Sequence, residues 1–108
     1  MHLDLDREPD YTGLLDALLA KTRAGKITWQ ETADEDTFLA AVHGRQTFEI
    51  SRHGDFAVLT VRDRDGKLLF RTSQTSLDAA NELWRLARRI AMRVDEKIDS
   101  ALELIKGL

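Results

Sequence analysis

The 108-residue chain predicts an α+β fold: an N-terminal helix, a four- to five-stranded antiparallel meander sheet and a long C-terminal helix. Three observations predict it. Apolar residues near both ends of the chain recur at helical spacing. Between Ile27 and Phe70 the period changes to two, in short runs. Gly-containing turns part those runs, which suits strands that pair with their neighbours in sequence.

Residues 1–9 read as an acidic, extended arm. The first helix is predicted over 10–24, with Asp10 or Thr12 as cap just after Pro9. Leu14, Leu15, Leu18, Leu19 and Thr22 share one of its faces. Lys21 and Arg23 sit in the last turn, where cations suit the helix dipole, and Gly25 is a ready C-terminal cap.

The sheet is predicted over 27–72. Ile27, Trp29 and Glu31 open the alternation, and the acidic turn Ala33-Asp34-Glu35-Asp36 follows. Phe38, Ala40 and Val42 lead to a turn at His43-Gly44, then Phe48 and Ile50 to a turn at His53-Gly54-Asp55. Ala57, Leu59 and Val61 precede Asp63-Arg64-Asp65-Gly66, whose Asp-Gly pair tolerates the positive φ of a hairpin turn. Leu68 and Phe70 complete the meander. Trp29, Phe38, Val42, Phe48, Ile50, Leu59, Val61 and Phe70 then share one face, and the two helices are its available covers. The other face, rich in Thr, Glu and Arg, is expected to be wet.

The last helix is predicted over 76–107, capped by Ser76 and continuous to the end. Its seam runs Leu77, Ala80, Trp84, Ala87, Ala91, Val94, Ile98, Ala101, Ile105, Leu108, in steps of three and four. Such a helix would extend roughly 45–50 Å. A compact domain of this length is only about 30–35 Å across. Part of the seam is therefore expected to overhang, and a second copy is its simplest cover. Trp84, Ala91, Val94, Ile98, Ala101, Leu102, Ile105 and Leu108 are the candidate interface, with Trp84 also expected to anchor the core. The alternative is a helix bent or broken near Asp99-Ser100 that folds back on its own sheet.

Arg85, Arg89 and Arg93 recur every four residues, with Arg88 beside them, and form a basic ridge. It could bind phosphate or an acidic partner surface. We favour neutralisation within the protein, by Asp4, Asp6 and Glu8 of the arm or by Asp95, Glu96 and Asp99 of another chain. The net charge is −3 and no aromatic residues interleave with the arginines, so nucleic acid is the less favoured partner.

No catalytic or metal-binding signature stands out. His2 lies in the arm, and His43 and His53 each precede a turn glycine. Ser51, His53 and Asp55 contain the residue types of a triad, but they are nearly consecutive and nothing supplies an oxyanion site. Glu31, Asp34, Glu35 and Asp36 lack the ligand spacing and central Gly of a calcium loop. Gly25-Lys26-Ile27-Thr28 lacks the leading Gly and the adjacent Ser or Thr of a phosphate loop. Cysteine is absent, which excludes disulfides, thiolate zinc sites and a cysteine nucleophile. No run approaches the roughly 20 apolar residues of a membrane span, and the N-terminus has no signal-type apolar run. A cytoplasmic protein without a cofactor is expected.

The run Gly25-Lys26-Ile27-Thr28-Trp29, Phe38, Phe48-Glu49-Ile50-Ser51-Arg52, Leu59-Thr60-Val61, Asp65-Gly66, Leu83-Trp84-Arg85-Leu86-Ala87-Arg88-Arg89 and Val94-Asp95-Glu96-Lys97-Ile98 resembles a group of small uncharacterised bacterial proteins of the same helix–meander–helix build. The resemblance covers most of the chain after residue 10 and implies the fold, with no activity attached. The expected function is a non-enzymatic interaction module, homodimeric through the C-terminal helix, that masks or carries a partner protein. The alternative is a nucleic-acid-binding regulator that uses Arg85, Arg88, Arg89 and Arg93.

Overall fold

The computed structural model describes residues 10–72 and 78–108; the acidic arm and the Ser76 cap lie outside them. The elements are α1 (Thr12–Arg23), β1 (Gln30–Glu31), β2 (Thr37–Val42), β3 (Gln46–His53), β4 (Phe56–Asp63), β5 (Leu68–Arg71), α2 (Asp78–Ala91) and α3 (Val94–Lys106). The five strands form one antiparallel meander in sequence order. The fold is α+β, as the alternation and turns predict.

The hairpins form where the turn residues allow. His43 and Gly44 both have positive φ (53° and 64°), and the Arg45 N–H closes the turn on the Val42 carbonyl. That is the backbone twist two paired strands require. At the β4–β5 turn the Asp63 carboxylate accepts the N–H groups of Asp65 and Lys67. The first strand is shorter than expected, because only Gln30 and Glu31 pair with β2. Ile27 and Trp29 precede it, yet Trp29 is buried: its Nε1–H donates to Thr22 Oγ1 at 3.1 Å. This bond ties the end of α1 to the chain entering the sheet. At the start of α1, Asp10 accepts the Thr12 N–H at 2.9 Å, which holds its carboxyl below the ordinary carboxylate range.

Cross-strand register sets Phe38, Ile50 and Leu59 side by side, and likewise Ala40, Phe48, Val61 and Phe70. Both rows face the helices and form the core with Leu15, Leu18, Leu19, Ala80, Leu83, Trp84 and Ala87. Tyr11 stacks on Phe70, with ring centroids 5.8 Å apart. An Arg23–Glu82 ion pair joins α1 to α2. The opposite sheet face is only partly wet. Thr37, Val58 and Thr60 are buried there, and Thr60 Oγ1 accepts from Arg71 Nε at 3.2 Å.

Trp84 is the central tie between α2 and the sheet. It is 8% exposed, lies 6.1 Å from the Phe38 ring and donates its Nε1–H to the Asp36 carbonyl at 2.9 Å. Arg52 lies over the Trp84 ring, 5.0 Å from its centroid. Trp84 therefore belongs to the subunit's own core and leaves the candidate interface. Trp84→Ala is expected to lower the unfolding free energy by about 3–5 kcal/mol in urea denaturation. A loss within ~0.5 kcal/mol, the range of surface substitutions, would contradict this placement.

Candidate interaction surface

The C-terminal seam is not one helix. It breaks at Met92–Arg93, seven residues before the Asp99-Ser100 position considered from the sequence. Arg93 adopts the left-handed conformation, φ 51° and ψ 48°. Its N–H bonds back to the Ile90 carbonyl, and its own carbonyl accepts the Lys97 N–H that begins α3. Charge explains why the break falls here without Gly or Pro. Arg88 and Arg89 occupy the last turn of α2, while Asp95 and Glu96 occupy the first turn of α3. Cations at a helix C-terminus and anions at an N-terminus are both favourable. Arg89 then grips Asp95 with two bonds, Nε–Oδ1 at 3.0 Å and a terminal nitrogen to Oδ2 at 3.2 Å. Residues six apart do not share a face in a continuous helix, so this pair exists only because the chain turns.

Beyond the junction, α3 has no buried residue. Val94, Ile98, Ala101, Leu102 and Ile105 fall within an arc of about 100°. Ile98 is 53% exposed, Leu102 47% and Ile105 64%. Leu104 flanks the stripe, and Leu108 follows it beyond the helix end. Asp95, Glu96, Asp99 and Glu103 occupy the other side. The helix projects from the body, and the molecule extends 67 × 29 × 26 Å. Its radius of gyration is 16.3 Å, against about 13 Å for a compact chain of 100 residues. The eight expected interface residues thus divide. Trp84 faces inward, Ala91 packs partly against the core, and the six from Val94 onward lie on the projecting segment.

The break also divides the arginine ridge. Arg89 pairs with Asp95, and Arg93 lies 3.9 Å from Glu96. These carboxylates belong to the same chain, not to another one. Arg88 lines a cleft with Glu31, Asp34, Glu35 and Asp36, so the acidic turn faces a cation. Arg85 lines a small cleft with Arg52, Asp55, Asn81 and Trp84.

Ser51 Oγ and His53 Nε2 do meet, at 3.0 Å, on the sheet face away from the helices. They border a cleft of about 470 Å³ with Thr37, Glu49, Thr60 and Arg71. Asp55 lies instead on the helix side, in the cleft with Arg85. The three residues do not converge into a triad. Among the described residues, no group of three or more His, Cys, Asp or Glu side chains is placed to hold a metal ion. No helix among them is long and apolar enough to cross a membrane.

Arg93→Gly is expected to raise stability by about 1 kcal/mol, because glycine adopts positive φ without steric cost. In one continuous helix the same change would lower stability by ~1 kcal/mol, so the sign of the shift in thermal or urea unfolding tests the break. Arg89→Ala should cost no more than about 1 kcal/mol, and less at high salt, since the pair with Asp95 is exposed.

Comparison with known protein families, curated proteins and solved structures finds no match to this chain.

Proposed function

We propose that the protein is a cytoplasmic, non-enzymatic interaction module that works as a homodimer joined through α3. One observation carries the reading: a 13-residue helix that buries none of its residues and bears an aligned row of Ile98, Leu102 and Ile105. An isolated helix of that length is marginal in water, and most helical stability in proteins comes from packing an apolar face. A second α3 supplies that packing with a matching stripe.

The remaining surface supports binding over chemistry. Asp55 lies on the other side of the sheet from Ser51 and His53, so it does not orient that pair. Nucleic acid is the weaker alternative: Arg89 and Arg93 each have a carboxylate partner, and the net charge is −3. A small acidic dimer of this kind suits the masking or carrying of another protein, by analogy of class.

Sedimentation equilibrium should show dimers at micromolar concentration. Ile98→Glu with Ile105→Glu should give monomers whose sheet and α1–α2 core keep their unfolding midpoint. A wild type that stays monomeric at millimolar concentration would contradict the proposal. Salt-sensitive binding of labelled DNA or RNA, lost in Arg85→Ala with Arg88→Ala, would favour the regulator reading instead.

A further inference from the structure

We infer that the two copies of α3 pack antiparallel, with the two-fold axis passing between Ala101 and Leu102. This rests on the dimer reading above and adds its direction and register. The apolar stripe is nearly symmetric about that point. An axis there sets Ile98 against Ile105 of the partner subunit, while Ala101 meets its own copy on one edge of the stripe and Leu102 meets its own copy on the other. Ile98 and Ile105 fill the seam on either side of the axis, and the small Ala101 pair at its centre lets the helices approach closely.

The edges of the stripe also fit this direction. In the first half of α3 the stripe is narrow, with Asp95 and Lys97 at its borders. In the second half it is wide, with Leu102 and Leu104 at its borders. Antiparallel pairing lays the wide half of one helix over the narrow half of the other. The aliphatic stem of Lys97 then covers Leu104 of the partner subunit while its ammonium stays in water. Parallel pairing would leave two narrow halves at one end and two wide halves at the other.

Charge suits the antiparallel direction. Asp95, Asp99 and Lys106 lie along one flank of α3, and a perpendicular two-fold axis sets like flank beside like flank. The antiparallel register brings Lys106 to a level between Asp95 and Asp99 of the partner subunit. The helix dipoles also run head to tail only in the antiparallel pair.

Space points the same way. The body begins two residues before α3, and the molecule is 29 × 26 Å in its shorter dimensions. Packed helices lie about 8–10 Å apart. In a parallel pair both bodies would compete for the same end of that narrow rod. In the antiparallel pair they sit at opposite ends of it, about 28 Å apart along the helices.

The chain has no cysteine, so introduced thiols report alone. Ile98→Cys and Ile105→Cys, each alone and mixed in equal amounts, are oxidised at a concentration where the wild type is dimeric. Ala101→Cys is oxidised in parallel. The antiparallel register brings residues 98 and 105 of different chains to one level but holds two copies of residue 98 about 10 Å apart along the axis, too far for a disulfide. The expected result is a mixed Ile98→Cys/Ile105→Cys disulfide at least roughly tenfold above either single variant, with Ala101→Cys self-linking. Self-linking of Ile98→Cys alone, without the mixed product, would show parallel helices and overturn the inference while sparing the dimer. A dimer in which no variant links, Ala101→Cys included, would mean that α3 is not the seam. A wild type found monomeric by sedimentation would remove both readings together. None of these positions touches the subunit core, so the fold itself is not at stake.

Discussion

The width of the sheet is the constraint from which the rest follows. Five strands about 4.8 Å apart span roughly 19 Å from first to last. A helix of 14 residues, the length of α2, runs about 21 Å. Such a helix crosses the sheet once, and α2 touches β1, β2, β3 and β4 on its way. Its Trp84 meets Phe38 on β2, and near its end Arg88 and Met92 share a cleft with Glu31 and Asp36 at the β1 edge. By Ala91 there is no more sheet to cover. Any further helix must leave the body, and α3 does so.

The junction makes that departure directional. A straight continuation of α2 would carry residues beyond Ala91 out along its own line. Instead the chain turns through a left-handed Arg93, a conformation that costs a non-glycine residue roughly 1–2 kcal/mol. The offset comes from charges placed at two new helix ends and from the two-bonded Arg89–Asp95 pair, each a modest term. The arginines that look like a binding ridge in a single helix are, at least at Arg89 and Arg93, part of this corner.

Much of the fold was legible because its local chemistry and its tertiary structure agree. Gly25 ends the first helix region, His43-Gly44 and Asp65-Gly66 turn the chain, and the alternation from Phe38 to Val61 sorts core from surface. The overhang of the last helical segment was legible too, from a seam longer than any domain of this size can cover. The break was not, since its left-handed residue is an arginine and no glycine, asparagine or proline marks it. The signal was the order of charges: Arg88, Arg89 and Arg93, then Asp95 and Glu96, the pattern of one helix ending and another beginning. Burial of Thr37, Val58 and Thr60 on the outer sheet face was also not legible, because twofold alternation assigns residues to a face without saying how closely their neighbours crowd it. The shortness of β1 has a similar origin. Ile27 and Trp29 alternate like strand residues, but the Trp29 indole is committed to Thr22 on α1.

The candidate surface is thus what the fold leaves over: a short amphipathic helix, aimed away from the body, whose apolar face no element among the described residues covers. Its stability and its role are linked, because a helix of this length gains its order from whatever packs on that stripe. Amide hydrogen exchange resolved along the chain, followed as protein concentration is raised, tests this most directly. The account predicts that amides of α3 exchange rapidly at low concentration and become protected as dimers form, while those of β3, β4 and α2 hold constant protection throughout. Protection of α3 at the lowest concentration, equal to that of α2 and independent of dilution, would contradict it.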